Sequence, residues 1–489
     1  MSARQHLAES KQQKGFEPLT AVKKPCQHLS AVCQHFENAM KLTAAQQNAL
    51  DALEQFASGE TPHGIATLQG YAGVGKTTVV AELLTKIGSA MSVLVTAPTH
   101  KALAVLGQKL DGAPCELMTT QAALGLKLTE LDSGEHRLQK DGAACIADFD
   151  LAIVDEASMI SAELFAAMLS SRRRCRILFV GDPAQLAPVG SEEQSPAFGP
   201  IVPLHVRLTE VVRQAEEHPS IRMSVLLRKN VANGEAPCLP ELAAMLQDGD
   251  DRFICITSGG EAAIQQYALD ALKHGLDTRI LAFTNSATIR HNRAIHDALY
   301  PGVDGFAVGE KVIAQEGFKD ATKRTWTQTA KTFDQVRTSE LLTVKRMTHC
   351  LNPSYPQFDA WMVEMRRDQS EEVVCAWVAR DRAAVEREIS ALFDTWRARK
   401  AEAEKAPPRE RIELFKAAKL CSKEAWALRK TFANIRHAYA LTIHKSQGST
   451  FETVLIDWTS MSRGTPEDMA RLAYVAITRP SKFAVIVTQ

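Results

Sequence analysis

Apolar positions along the chain follow two alternating rhythms. From Thr43 onward, short runs of apolar and β-branched residues are separated by segments whose apolar positions recur three and four apart. These are ATLQGYAG, VVAELLTKI, SVLVTAP, THKALAVLGQKL, FDLAIVDEAS, AELFAAMLSS and RILFVGDP. Continuous apolar runs suit strands buried on both faces, and the intervening periods suit helical crossovers, so this stretch predicts a parallel sheet. A second such series starts near Glu216, includes RILAFTN, TIRHNRAIHDAL and VLIDW, and finishes with FAVIVTQ. Between its parts the rhythm changes. ELLTVKRM, DAWMVEMRR and EEVVCAWV alternate, and a charged helical pair follows from Asp381 to Lys430, broken by Pro407-Pro408. The expected fold is therefore α/β, with two parallel-sheet domains. The expected division is a 1–40 appendage with a short helix near Val32 to Met40, a first domain over 41–215, and a second over 216–336 and 432–489. A β unit with a helical extension is inserted at 337–431. Tyr355, Phe358, Trp361 and Trp377 are the expected core of that β unit.

One turn in the first series carries chemistry. GYAGVGKTT, residues 70–78, sits between an apolar run and a helical period, the context a phosphate-binding loop requires. Gly70, Gly73 and Gly75 let consecutive backbone N–H groups wrap phosphate oxygens at the positive end of the next helix, with Thr78 in the same turn. Lys76 reaches the β and γ phosphates, and the Thr77 hydroxyl holds Mg²⁺. The cofactors implied are ATP and Mg²⁺. Further on, LAIVDEASM places Asp155 and Glu156 at the carboxyl end of an apolar strand, where parallel sheets bind ligands. Asp155 suits Mg²⁺ held through water, and Glu156 suits activation of the water attacking the γ phosphate. The next strand ends in FVGDPAQLAPVG, in which Gln185 suits γ-phosphate sensing. Arg213 in LTEVVRQ and Arg479 in AYVAITRP suit guanidinium stabilisation of phosphoryl transfer, worth roughly a thousandfold or more.

The charge balance changes the picture little. In 489 residues, Lys plus Arg and Asp plus Glu are each 57. A neutral total excludes a chain coated in positive charge but permits a local basic groove along a nucleic-acid backbone. The ten cysteines show no C-x-x-C pair and no zinc spacing, so no metal other than nucleotide-bound Mg²⁺ is expected. The polar start and the absence of a long apolar run predict a soluble cytoplasmic protein with no membrane partner.

The order of GYAGVGKTT, TAPTHKA, VDEAS, GDPAQLAPV, LTEVVRQ, ALTIHKSQGSTF and AYVAITRP resembles that of superfamily 1 helicases, in the RecD-like 5′ to 3′ branch and the phage Dda type. The resemblance spans about residues 42–489. It implies two RecA-like domains, a pin inserted in the first over 115–142, and an SH3-like unit inserted in the second. It assigns Gln46 to adenine reading, and Lys76, Thr77, Asp155, Glu156 and Gln185 to the ATPase. Arg213 and Arg479 take arginine-finger positions, and Gln447 and Gly448 couple nucleotide to DNA. Pro98, Thr99, His100, Thr442 and His444 fall where the family contacts the strand. The pin would be the hairpin in 124–141, whose Asp132-Ser133-Gly134 tip carries no aromatic.

The implied activity is an ATP-dependent DNA helicase acting on single-stranded and fork DNA. Its partners would be replication or recombination proteins. Two alternatives remain from the residues alone: a translocase that remodels nucleoprotein, and a RecD-like subunit of a larger recombination complex.

Overall fold

The computed structural model describes residues 42–71, 73–130, 136–188, 193–209, 219–246, 250, 253–322, 335–368, 370–461 and 464–489. The 1–40 appendage with its expected helix, the hairpin tip and Arg213 lie outside the described residues. Residues 44–489 form one compact unit.

Its first lobe begins with α1 (Ala44–Ser58), β1 (Ile65–Gly70), α2 (Lys76–Ile87), β2 (Val93–Ala97) and α3 (His100–Lys109). Next come β3 (Glu116–Thr119), the hairpin β4 (Leu126–Glu130) and β5 (His136–Lys140), β6 (Leu151–Val154), α4 (Ala162–Ser171), β7 (Arg176–Gly181) and β8 (Leu204–Leu208). The sheet order is β3-β2-β6-β7-β1-β8, and every neighbouring pair runs parallel. β1, β2 and β6 are buried at every position, as expected for strands covered on both faces. The sheet thus delivers the ends of β1, β6 and β7 to one edge, where the phosphate loop, Asp155-Glu156 and Gly181-Asp182 lie together.

The second lobe contains α5 (Pro219–Asn233), β9 (Ile254–Thr257), α6 (Gly260–Lys273), β10 (Thr278–Ala282) and α7 (Asn285–Leu299). The chain then leaves through β11 (Lys311–Ala314), β12 (Phe318–Lys319), β13 (Gln335–Val336), β14 (Leu341–His349), β15 (Ala360–Arg367) and β16 (Val373–Ala379). It continues into α8 (Arg382–Lys405) and α9 (Pro408–Thr431), and returns by β17 (Ile435–His437). β18 (Ala440–Thr442), β19 (Phe451–Asp457), α10 (Pro466–Ile477) and β20 (Pro480–Val487) complete the lobe. Its parallel sheet has the order β18-β10-β19-β20-β9. The sequence periods marked β10, β19 and β20. Short β9 and β18 carry too little pattern to announce themselves.

The inserted sheet is antiparallel, ordered β16-β15-β14-β11-β17. Side-chain alternation gives it two apolar faces. Val363, Met365, Val374 and Ala376 join one core, against which Trp361 packs. Ala360 and Ala379 turn to the other face and meet Val385, Ile389 and Phe393 of α8 and Ala425 and Leu428 of α9. Tyr355, Phe358 and Trp377 pack on this second, helix-covered face rather than in the core of a small barrel. That corrects the sequence expectation for three of four aromatics. The physical reason is parity: Trp377 lies between Ala376 and Val378 and therefore faces away from their core. The helical pair accordingly has a packing role, because it removes this second face from water. Among the described residues no helix is long and apolar enough to cross a membrane.

Phe432 anchors that helix-covered face at 1% exposure, with ring centroids 5.9 Å from Phe358 and 6.2 Å from Tyr355. Phe432→Ala leaves a cavity there and should destabilise the inserted unit by about 3–5 kcal/mol. Ile412→Ala, at an exposed position of α9, should stay within about 0.5 kcal/mol. Denaturant unfolding followed by tryptophan fluorescence measures both.

Candidate nucleotide and strand site

The phosphate loop closes on itself through Lys76, whose Nζ donates to the carbonyl oxygens of Gly70 and Tyr71, each at 2.8 Å. Burial pushes this ammonium below its ordinary value, against the opposing pull of Asp182, Glu156 and Asp155. Gly75 adopts φ +85°, the left-handed region, and a side chain there would run into the Gln46 amide. Gln46 is buried on α1, and its Nε2 donates to the Val74 carbonyl at 3.0 Å. The residue expected to read adenine therefore also fixes the back of the phosphate loop.

Thr77 and Asp155 line one small cavity with Val80, Val95, Leu106, Ile153 and Val180. A hydroxyl and a carboxylate are hard-oxygen donors, the type that Mg²⁺ takes. Burial raises the Asp155 carboxyl above its ordinary range. The Glu156 carboxyl is pushed up to about 6 by burial and by the Asp155 charge, with Arg479 and Lys76 pulling it down. Glu156 has φ 51°, a left-handed conformation that costs a non-glycine residue roughly 1–2 kcal/mol. Such strain is a recurrent mark of functional sites.

Asp182 lies at the centre of the contact between the lobes and has no solvent exposure. Its carboxylate accepts from Arg228 of α5, from the Tyr474 hydroxyl of α10 and, at 3.0 Å, from the Ala184 backbone N–H. The Arg228 guanidinium also lies 4.2 Å from the Tyr71 ring centroid, linking Asp182 to the phosphate loop. Arg471 of α10 donates to the carbonyls of Pro183 and Gln185 at 2.7 and 2.8 Å. Ser158 donates to Gln185 Oε1 at 3.4 Å. Ala184 and Leu186 join the apolar core of the second lobe. Gln185 thus rides on a loop gripped by both lobes.

Arg479 belongs to the second lobe and is buried. Its nitrogens donate to Val475 O at 3.0 Å, Ser449 O at 3.2 Å and Thr478 Oγ1 at 2.8 Å. Burial lowers its pKa, and the chief opposing charge is Glu156 of the first lobe. Close by, Lys101 of α3 and Arg279 of β10 each stand 5.6 Å from the Phe451 ring centroid. Burial, with Arg279 next, lowers Lys101 to about 8. Gly448 has φ +68°, and a Cβ added there would come within van der Waals distance of Ala102 of α3. On either side of it, buried Gln447 Nε2 and Ser449 Oγ have no hydrogen-bond partner. Orphaned buried donors are costly and suit an anion that arrives with a ligand.

The residues expected to hold a strand divide between two loops. Pro98, Thr99 and His100 follow β2, and the Thr99 hydroxyl caps α3 by accepting from Ala102 N at 3.2 Å. Thr442 ends β18 and accepts from Lys445 N at 3.4 Å. A capping hydroxyl accepts through its oxygen and keeps its own proton for donation. His100 and Lys101 border a cavity of about 430 Å³ whose opposite wall includes Arg337, Thr338, Ser339 and Arg367 of the insertion. Burial and, secondarily, Arg337 lower the His100 pKa. His444 is lowered by burial and partly restored by Asp468. Its ring lies 6.1 Å from that of Phe283.

With this geometry in place, the matches to known proteins are specific. Residues 41–249 match the AAA domain family, and residues 437–487 match the UvrD-like helicase C-terminal domain. The ATP-dependent DNA helicase dda of Enterobacteria phage T4 is 26% identical over 296 residues, covering 56% of this chain and 61% of that protein. The chain resembles superfamily 1 helicases of the Dda and RecD kind. The ATP-dependent RecD2 DNA helicase of Deinococcus radiodurans is 30% identical over 237 residues, 46% of this chain and 29% of that protein. The helicase-like chain thus spans less than two thirds of the length of either relative. A Bacteroides Pif1 structure bound to ssDNA aligns with 91% of this chain and 92% of its own at 16% identity and a TM-score of 0.43.

Sequence motifs marked the phosphate loop, the acidic pair and Arg479 but not the Asp182 junction. Arg228 lies in a helix with no motif around it. Tyr474 stood inside AYVAITRP, and its hydroxyl in an otherwise apolar, fully buried helix segment was the available signal. Arg228→Ala leaves a fully buried carboxylate short of its cation and should cost about 3–5 kcal/mol, measured as a drop in calorimetric unfolding temperature. Tyr474→Phe, which keeps the charge pair, should cost less than half as much.

Proposed function

We propose that the chain is an ATP-dependent DNA helicase that moves 5′ to 3′ on single-stranded DNA and opens forks. The single observation that carries this reading is electrostatic: Arg479 of one lobe has Glu156 of the other as its chief opposing charge. A triphosphate held by Lys76 on one wall and Arg479 on the other would meet positive groups from both, so its cleavage would alter how tightly the lobes hold each other.

Lys76 would exchange its loop carbonyls for β- and γ-phosphate oxygens, and Gln46 would hold the loop and adenine. Thr78 and the loop glycines would cradle the phosphates. Thr77 and Asp155 would hold Mg²⁺, which neutralises phosphate charge. Glu156 would accept the proton of the attacking water. Gln185 would sense the γ phosphate, Arg213 and Arg479 would stabilise the charge that develops on it, and Gln447 and Gly448 would report its presence to the strand loops. Pro98, Thr99, His100, Thr442 and His444 would grip the phosphodiester backbone without reading bases.

The proposed units are RecA-like domains over 41–215 and over 216–336 with 432–489. The β4–β5 hairpin within 115–142 serves as the pin. The 337–431 insertion serves as an SH3-like unit whose sheet borrows β11 and β17 from the flanking chain. Matches to the RecD subunit of RecBCD, at 33% identity over 147 residues, support a second reading as a subunit of a recombination complex.

ATP turnover should rise strongly with added single-stranded DNA and fall about a thousandfold in Arg479→Ala, read by phosphate release. Duplexes with a 5′ overhang should open and those with a 3′ overhang should not. Turnover indifferent to any nucleic acid would overturn the motor. Because Glu156 acts as a base in its ionised form, kcat/KM should be flat above neutrality and decline as pH falls through about 6. A profile without that limb removes Glu156 from the proton transfer.

A further inference from the structure

Outside the nucleotide cleft, three polar side chains converge where the insertion leaves and re-enters the second lobe. They are His296 on α7, Glu310 just before β11, and His437 on β17. His296 and Glu310 are 4% and 2% exposed, and one ligand atom from each of the three lies within 4.8 Å of the others. His296 Nδ1 stands 3.1 Å from Glu310 Oε1, and His437 Nδ1 stands 2.5 Å from the same oxygen. The two imidazoles stack with centroids 4.4 Å apart.

The far side of each group fixes its chemistry. His296 Nε2 faces the Val303 carbonyl at 3.3 Å, and a carbonyl only accepts, so Nε2 carries hydrogen. In a neutral ring Nδ1 is then a lone pair pointed at a carboxylate oxygen. A cation must stand between them, either a proton or a metal ion. His437 can meet the same oxygen as a neutral ring donating from Nδ1, so protons alone would require an imidazolium at His296. A divalent ion satisfies all three ligands at once.

The surroundings match what metal ligands require. A ligating histidine commonly donates its other N–H to a backbone carbonyl, and a ligating carboxylate is itself hydrogen-bonded. Val303 supplies the first partner. The Ala307 N–H at 2.8 Å and the Tyr439 hydroxyl supply the second. Tetrahedral ligands at roughly 2.1 Å from Zn²⁺ stand about 3.4 Å apart, close to the 3.1 Å of His296 and Glu310, whereas the half-buried His437 ring, 2.5 Å from the same oxygen, must draw back to admit the ion. A cavity of about 430 Å³ lined by Tyr300, Glu310 and Tyr439 opens beside the cluster, giving an entry path and room for a water ligand. We propose that His296, Glu310 and His437 form a zinc-class metal site that clamps both ends of the insertion to the second lobe. Ligand separations of 14 and 127 residues carry no local spacing pattern, which is why the sequence pointed to no metal here.

The test uses the full-length untagged chain in millimolar Mg²⁺, so that the phosphate loop is not read. Elemental analysis after dialysis should find about one zinc per chain. After chelation, Co²⁺ should restore one equivalent with the visible absorption of low-coordinate cobalt. Glu310→Gln and His437→Asn, each shown folded by circular dichroism, should lose at least nine tenths of that signal. Zinc should also raise the unfolding temperature of the stripped wild type and not of either variant. Stripped wild type that takes up neither metal at micromolar concentration would overturn the proposal, as would undiminished cobalt absorption in both variants. The wild-type titration decides the matter even if a variant fails to fold.

Discussion

Asp182 is the constraint on which the cleft depends. A carboxylate without solvent contact is tolerable only when its charge is matched and its lone pairs are occupied, and here both partners, Arg228 and Tyr474, come from helices packed in the second lobe. The first-lobe strand β7 therefore ends in a charge whose guanidinium and hydroxyl partners come from the second lobe. Arg228 also covers Tyr71 of the phosphate loop. A change at the phosphates thus has a short path to the contact between the lobes, with no long chain of small displacements.

The rest of the cleft is electrically unfinished. Lys76 rests on two carbonyls of its own loop, Arg479 on backbone and a threonine hydroxyl, and the Gln447 Nε2 and Ser449 Oγ atoms on nothing. Opposite them, burial raises the Asp155 and Glu156 carboxyls above their ordinary range, and the Asp155 charge adds to the rise at Glu156. One anion would satisfy the first group and one divalent cation the second. The arrangement is costly alone and would become favourable if both ions arrived together, as a metal-bound triphosphate would bring them.

What the sequence made legible follows from how local each constraint is. β1, β2, β6 and β7 are continuous apolar runs, and the phosphate loop is one contiguous turn, so both could be read directly. β3 could not, because its edge position leaves Glu116 and Leu117 exposed and erases the buried pattern. Arg228, Arg471 and Lys101 escaped for a different reason. Their roles exist only through partners such as Asp182, Pro183 and Phe451, and nothing in a window around an arginine records a partner so far away. The aromatics of the insertion, all four of them half-buried, were legible as packed against a core but not as to which face, because the helices covering the second face lie downstream of the strands.

The two ends of the insertion return this reasoning to the lobes. β11 and β17 pair side by side, so the chain departs and comes back through adjacent strands, and a small unit attached at such a neck would ordinarily swivel. Buried polar groups at the neck oppose that: Glu310 ties β11 to α7 and to β17 through the two histidines, while Asn292 of α7 bonds both backbone groups of Ala440 at 2.9 Å. The side of the insertion that carries Arg337 and Arg367 is thereby held facing His100 and Lys101 across their shared cavity. Any movement of the second lobe relative to the first must then carry the insertion with it and widen or narrow that cavity, so a rigid neck converts closure at the phosphates into a change of grip about a cavity that His100 and Lys101 border.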